Sequence, residues 1–421
     1  MRLPEAFRSL RYRDFRVFRV FFVAQTISQI ATWMHSVTQT WLILSLTNSP
    51  LLLGLITMLH WGPILLLALP GGAIADRVAK RRLLIATQAA QACTALTVAA
   101  LVATGVVAYW HVGVLALCAG LANTLFNVVR QSFVNETVGR DDVVNAVALS
   151  AAAFNDARIV GPAAAGLVIA SVGVAPAFVF SGAGHLLVLA TLATVGVEGR
   201  PRRERPTTIR QDIAEGAGYA LHTPEIRAVL GVLFVISSCV FNFSIWVPLL
   251  ARNVLGQGVQ GFGFLLAAVG VGAVCGAFTL GTVVSRHPSL ALLDASAAAA
   301  CSALLALCVI ESVRLAAVAL FLLGYTGVIT SAGCQTSLQL RSSDELRGRV
   351  MSLFTLIHGG CFPIAAPLIG AVAERSSVRA AFFVWGAGGL AALALLMGAR
   401  RRLDRRRSTL ASAIHMKAST E

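Results

Sequence analysis

The chain has 421 residues; 57% are hydrophobic and only 13% charged, yet the formal net charge is +15. A soluble domain carries about 25% charged residues, so this composition excludes an ordinary soluble enzyme, a disordered tail protein and a fibrous repeat. It also excludes a soluble nucleic-acid binder, whose arginines would need a wetted face, and leaves a protein dissolved mostly in a bilayer.

A membrane-crossing helix needs about 20 mostly apolar residues. That ruler predicts an all-α membrane protein with twelve spans, at residues 18–44, 52–75, 83–104, 110–129, 143–170, 176–195, 226–250, 261–284, 291–310, 315–337, 350–373 and 380–399. Turn formers separate the runs at Asn48-Ser49-Pro50, Ser171-Val172-Gly173 and His287-Pro288-Ser289. The basic N-terminus is not a signal peptide, because no small-residue cleavage site precedes polar Gln25, Gln29 and Gln39. With both ends cytoplasmic, 29 of the 34 basic residues fall on the cytoplasmic side. Arg252, Arg314, Arg375 and Arg379 fall outside, and Arg158 lies within a span. Basic residues stay on the cytoplasmic side, so the +15 reads as sidedness in the cytoplasmic membrane, with no nucleic-acid partner. The eight cysteines all fall within spans and form no C-x-x-C pair, so they read as buried apolar residues, with no metal site and no cofactor.

The material changes at residues 197–224, where Arg200-Pro201-Arg202-Arg203-Glu204-Arg205-Pro206 is polar and proline-broken. This predicts an N-terminal half at 1–196, a linker at 197–224, a C-terminal half at 225–400 and a basic tail at 401–421. The halves echo each other. Gly72 to Arg77 follows the second span as Gly281 to Arg286 follows the eighth, and Gly161-Pro162 in span five answers Ala366-Pro367 in span eleven. Two parallel six-helix repeats around a midplane cavity are the arrangement of the major facilitator superfamily. Gly72-Ala73-Ile74-Ala75-Asp76-Arg77-Val78-Ala79-Lys80-Arg81-Arg82 resembles that superfamily's loop 2–3 signature, with Ala79 where glycine is usual.

A narrower resemblance runs from residue 10 to about residue 170. It rests on Leu10-Arg11-Tyr12-Arg13-Asp14-Phe15-Arg16, Trp33-Met34, Trp41-Leu42, Thr47-Asn48-Ser49-Pro50, Arg130-Gln131-Ser132-Phe133-Val134 and Ala157-Arg158-Ile159-Val160-Gly161-Pro162. These segments resemble the branch holding enterobactin exporters, macrolide efflux proteins and lysophospholipid transporters. The resemblance implies a secondary transporter, usually an exporter, driven by an ion gradient. Gly161-Pro162 with Gly166 resembles the span-five motif associated with antiporters, in which proline kinks the helix and glycine permits close packing. The span-four arginine usual in drug/proton antiporters is not in its expected early position.

Polar residues inside spans carry the chemistry. Asp156 lies near the middle of span five, where a charged aspartate costs about 2.5–3.5 kcal/mol to insert. It reads either as a proton carrier or as a hydrogen-bond acceptor between helices. Arg158, two residues on, faces elsewhere and reads as a structural latch or an anionic-substrate contact. Asp294 lies at the cytoplasmic end of span nine and reads as interfacial. Gln25, Gln29, Thr32, Ser36 and Gln39, at spacings of 4, 3, 4 and 3, form one stripe on span one. Span four carries Asn123, Asn127 and Arg130, span seven Ser238, Asn242 and Trp246, and span ten Tyr325, Thr326 and Thr330. In the resembled fold these four spans surround the cavity; small polar residues that glue helices together are the alternative. Trp33 could stack on substrate. His35 and His358 lie within spans, as titrating groups or satisfied core histidines, with His60 and His185 weaker candidates of the same kind. The loop resemblance makes Gly72, Asp76, Arg77, Lys80, Arg81 and Arg130 a cytoplasmic gate, Asp76 meeting Arg130 or the start of span eleven.

The expected function is export of a small amphipathic molecule by a monomer, by alternating access and proton antiport, with protons and membrane lipids as further partners. The alternatives are a lysophospholipid flippase of the same fold, uptake in place of export, and an integral-membrane enzyme. No Ser/His/Asp set or phosphate-cradling loop in the sequence supports the enzyme.

Overall fold

In the computed structural model the described residues are 16–67, 79–137, 153, 157, 160–162, 164–194, 218–282, 288–343 and 346–418. Among them the secondary structure is helical throughout, with no strand. The helices are α1 (Arg16–Thr47), α2 (Pro50–Trp61), α3 (Pro63–Leu67), α4 (Lys80–Ala103), α5 (Tyr109–Thr137), α6 (Val160–Val172), α7 (Val174–Thr194), α8 (Pro224–Cys239), α9 (Phe243–Leu249), α10 (Val259–Thr282), α11 (Leu290–Ala306), α12 (Val313–Arg341), α13 (Arg347–Arg375) and α14 (Val378–Ala418). Nine helical segments among the described residues are long and apolar enough to cross a membrane, counting α2 with α3, and α8 with α9 and the turn after it, as one each. The 32-residue α1, with its three glutamines, is not among them, and α6 and α11 are shorter apolar helices.

The helices run up and down, and the charge follows. Lys80, Arg81, Arg130, Arg227, Arg341 and Arg400 sit towards one end, and Arg252, Arg314, Arg375 and Arg379 towards the other. Three features depart from uninterrupted spans. The second span is interrupted at Gly62, where Pro63 brings no N–H to the carbonyl of Leu59. The seventh is interrupted at residues 240–242, then resumes as α9 and ends in a π-helical turn, Leu250–Val254, just after Pro248. The helix of the twelfth span does not stop at 399 but continues through the basic segment to Ala418.

Within each half the packing repeats. α4 lies between α5 and α7, and α11 lies between α12 and α14. Between the halves the main seam is α2 against α13. It closes through backbone contact. A Cβ on Gly54 would stand 2.5 Å from the carbonyl oxygen of Ala366, and one on Gly370 would stand 2.3 Å from that of Pro50. A second contact between the halves brings Gly166 of α6 onto Gly263 of α10, where an added Cβ would stand 2.6 Å from the opposite Cα. Beside it Trp41 stacks on Phe262 with centroids 4.8 Å apart. At the arginine-poor end Glu374 of α13 accepts from the Ser49 hydroxyl at 2.9 Å and the Leu51 N–H at 3.4 Å. A carboxylate there complements the N-terminal dipole of α2.

This seam generates a prediction. Gly54→Leu should destabilise the protein by about 1–3 kcal/mol, because the added side chain must push α13 away. Gly348→Ala, where no atom stands within 4 Å, should stay within about 0.5 kcal/mol. Thermal unfolding of both variants in the same detergent checks the difference.

Candidate substrate and coupling site

The span-one stripe is buried along its whole length, from Gln25 to Gln39. One of its members meets a polar residue of a neighbouring helix. Gln29 Nε2 donates to Asn127 Oδ1 of α5 at 3.4 Å, and Asn127 Nδ2 donates back along α5 to the Asn123 carbonyl at 2.9 Å. The stripes predicted on spans one and four are thus in contact. Thr32 is satisfied locally, by the carbonyl of Ser28 at 3.0 Å.

One turn round α1, Ser28, Gln88 of α4 and His185 of α7 form a closed triangle. The Ser28 hydroxyl lies 3.0 Å from His185 Nδ1 and 3.1 Å from Gln88 Oε1, and His185 Nδ1 lies 2.9 Å from Gln88 Oε1. The sequence hint was present in the small residues flanking His185. Gly182 lets α7 approach Leu96 and Gly184 lets it approach Ala31, each close enough that a Cβ would stand under 3 Å from its neighbour.

Further along α1, His35 Nε2 lies 3.2 Å from Gln39 Oε1. The His35 ring stacks on that of His60 of α2 with centroids 6.1 Å apart, and Phe178 of α7 meets its edge at 5.0 Å. Trp33 and Trp61 lie 5.2 Å apart. Trp61 also meets Phe362 of α13 edge-on at 5.7 Å, which carries this aromatic wall across to the other half. Gly161 lets α6 touch α1 here: a Cβ on it would lie 2.5 Å from Trp33 Cβ. Gly161 and Gly166 therefore act as close-approach points on two sides of the helix that also holds Pro162.

The C-terminal stripes are arranged differently. The Thr330 hydroxyl lies 2.8 Å from that of Ser296 of α11, the Tyr325 hydroxyl donates to Thr279 of α10 at 3.2 Å, and Thr326 bonds back to Leu322. These groups join helices inside one half. Trp246 is fully buried, donates to the Cys239 carbonyl at 3.0 Å and packs against Phe382 and Trp385 of α14. Asn242 stands at the N-terminal boundary of α9 without a side-chain cap bond, and its Nδ2 donates back to the Ser238 carbonyl at 2.9 Å, across the break that interrupts the predicted span-seven stripe. His358 lies 3.3 Å from the Ser237 hydroxyl and stacks on Phe354.

Asp156, Arg158, Gly72, Asp76 and Arg77 lie outside the described residues. Of the loop 2–3 motif, Lys80 is buried and Arg81 donates to the carbonyls of Leu192 and Ala193 at 2.8 Å each. Arg81 thus caps the C-terminal end of α7 with a cation, as the helix dipole favours. Arg130 has its Nε buried with no partner among the described residues. Asp294 is expected at the interface. Here it accepts a forked pair of bonds from Arg400 Nη1, at 3.1 and 2.9 Å, joining α11 to α14. That pair was not legible, because its members are 106 residues apart.

This is the interior of a major facilitator transporter: two helical halves, glycine seams between them and polar side chains turned inward. The profile of a family described as "Transmembrane secretion effector" matches residues 9–420, and the chain belongs to that family, as a multi-pass transporter of the inner (cytoplasmic) membrane. It is 26% identical over 395 residues to an enterobactin exporter of Escherichia coli O1:K1 / APEC, covering 93% of this chain and 94% of that protein. It is 25% identical to the enterobactin exporter of Shigella boydii serotype 4 over the same share. Among solved structures it superposes on the nucleoside transporter NupG with a TM-score of 0.72 at 10% identity, covering 91% of this chain and 98% of that one. A bacterial homologue of the lysosomal transporter Spinster, in an inward-facing and occupied conformation, gives 0.69 at 14% identity, covering 93% and 97%. These structural likenesses establish the fold.

The Asp294–Arg400 pair yields a prediction. Asp294→Ala should lower stability by about 1–3 kcal/mol, because it leaves a largely buried guanidinium without its partner. The double variant Asp294→Leu/Arg400→Leu should recover much of that loss. Urea or thermal unfolding of the three proteins tests the non-additivity.

Proposed function

We propose that the protein exports a small amphipathic molecule across the cytoplasmic membrane in exchange for protons. Twelve spans, with both termini cytoplasmic, form halves at 1–196 and 225–400 that rock about the α2–α13 seam to expose a midplane site alternately to each side. The observation that carries the reading is the family match over nearly the whole chain. The enterobactin exporters named above support export over uptake and a metabolite-sized cargo. The buried contact of Gln29 with Asn127 and the wall of Trp33, Trp61 and Phe362 support a site that offers both hydrogen bonds and aromatic faces. Asp156 and Arg158 remain proposed coupling residues on sequence grounds. Asp76 with Arg130 remains the proposed cytoplasmic gate.

The test is an accumulation screen in an efflux-deficient bacterial host across dyes, macrolides, siderophores and a lysophospholipid. Expression should lower the cellular level of at least one compound severalfold, and a protonophore should restore it. If no compound's level changes, the export reading fails. If only lysophospholipid translocation responds, the flippase reading replaces it. A response that survives the protonophore removes the proton from the mechanism. In the same assay Asp76→Asn should slow export if the gate carboxylate holds the cytoplasmic side closed, and an unchanged rate removes the gate.

A further inference from the structure

The helix of the last span does not end with its apolar run. α14 has 41 residues, Val378 to Ala418, about 60 Å at 1.5 Å per residue and twice a hydrocarbon core of roughly 30 Å. Residues 380–399 supply the apolar part. Past them comes Arg400-Arg401-Arg402-Leu403-Asp404-Arg405-Arg406-Arg407, six arginines in eight residues and still helical. Like charges this close on one helix repel one another. The preference for basic residues on one side of a membrane accounts for their presence here. It does not account for how they are arranged around the helix.

The arrangement is set by Arg400. Its guanidinium donates to Asp294 of α11 at 3.1 and 2.9 Å and to the Ala228 carbonyl of α8 at 3.4 Å, so position 400 faces the bundle. Buried Phe382 and Leu393 share that face, 18 and 7 residues back and so at nearly the same angle. The opposite face is the one that lipid covers: Phe383, Val384 and Leu395 are exposed, Leu395 to 75%. Followed along the helix, this lipid face leads to arginine. Arg401 stands 18 residues after Phe383, and Arg402 stands 18 after Val384 and 7 after Leu395. Arg405 and Arg406 follow one turn later, and Arg401 and Arg402 are themselves exposed. These four positions fall within an arc of about 140°, and Arg400, Leu403, Asp404 and Arg407 take the rest of the circumference. Asp404, the one carboxylate of the segment, therefore shares the register of the bundle side and not of the basic face.

Depth agrees with direction. Arg400 is the first residue past the apolar run, and the four arginines stand about 1.5 to 9 Å farther along the axis. The headgroup layer on each side of a bilayer is roughly 5–8 Å thick, and the long apolar stem of arginine lets its charged head settle at that level.

We propose that Arg401, Arg402, Arg405 and Arg406 form a binding face for anionic phospholipid in the leaflet at the arginine-rich end. The partner's chemistry follows from the place. The face continues a lipid-covered surface, lies at headgroup depth and carries only positive charge. It fits a lipid whose phosphate keeps a net negative charge, because in a zwitterionic lipid the headgroup amine offsets the phosphate. Guanidinium groups bind phosphate oxygens through paired, parallel hydrogen bonds, and a basic segment beside a span is drawn to an anionic leaflet. The strip of Val384 and Leu395 beneath is apolar surface for the acyl chains. The inference goes beyond the transport reading and depends on neither its cargo nor its coupling ion.

The test is native mass spectrometry of the full-length protein in detergent with phosphatidylglycerol or phosphatidylcholine added, together with thermal unfolding of the same samples. Phosphatidylglycerol should bind more tightly, raise the unfolding temperature further, and lose both advantages as salt is raised. Arg401→Gln/Arg402→Gln/Arg405→Gln/Arg406→Gln should weaken its binding at least about tenfold. Arg200→Gln/Arg202→Gln/Arg203→Gln/Arg205→Gln, which removes the same charge elsewhere in the chain, should leave it unchanged. If the first variant does not fold, Arg401→Gln/Arg402→Gln and Arg405→Gln/Arg406→Gln carry the comparison, each losing part of the affinity. Equal binding of the two lipids overturns the proposal, as does a preference that survives the glutamine variants. A preference lost as fully in the 200–205 variant overturns it too, because net charge would then be the cause. Glycerol 3-phosphate, a headgroup without acyl chains, should neither bind nor stabilise; an effect equal to that of the lipid would make this a phosphate site and not a lipid face.

Discussion

Lipid gives transmembrane helices no hydrophobic reason to associate, so they must be held by close van der Waals packing and by polar contacts that lipid cannot supply. This constraint sets the organisation of the whole molecule. The seams between the halves are backbone on backbone, with Gly54 against Ala366, Gly370 against Pro50 and Gly166 against Gly263. The same constraint turns Gln25, Gln29, His35 and Gln39 of α1 inward. A seam built from glycine has little side-chain interlock.

The two halves use the constraint differently. In the C-terminal half several polar groups tie helices together, Ser296 with Thr330, Tyr325 with Thr279 and Asp294 with Arg400, while Asn242 Oδ1 and Arg400 Nε lack partners among the described residues. In the N-terminal half they form separate clusters, the Ser28–Gln88–His185 triangle and the His35–Gln39 pair beside His60, and several buried atoms there lack partners among the described residues. Fully paired networks rigidify, and partly paired ones carry the cost of their unsatisfied buried groups.

Several features were legible in the chain itself. The 3–4 spacing from Gln25 to Gln39 is a helical stripe on any fold, and its contact with Asn127 follows once spans one and four are neighbours. Gly161 and Gly166 were legible as close-packing residues, though their partners Trp33 and Gly263 were not. The ranking of histidines was less legible. His35 shares α1 with a polar stripe, whereas His60 is flanked by leucine, tryptophan and glycine, with Thr57 as its polar neighbour at helical spacing. The ring stacked on it, that of His35, belongs to another helix. Trp246 illustrates the reverse: it completes a stripe in sequence, but the break after Val240 turns it into the core of its own half.

By itself, then, the sequence determined that the protein lives in a bilayer, that it is built of helices, and to which superfamily it belongs. Those properties depend on local quantities: the length of apolar runs, the placement of arginines and short motifs. The tertiary structure alone decided which polar side chains meet, which are tied and which are left open. Helical periodicity assigns a residue to a face but says nothing of the helix opposite. The pairing of Asp294 with Arg400, the Ser28–Gln88–His185 triangle and the approach of His35 to His60 all arise between helices far apart in the chain, and only packing could place them.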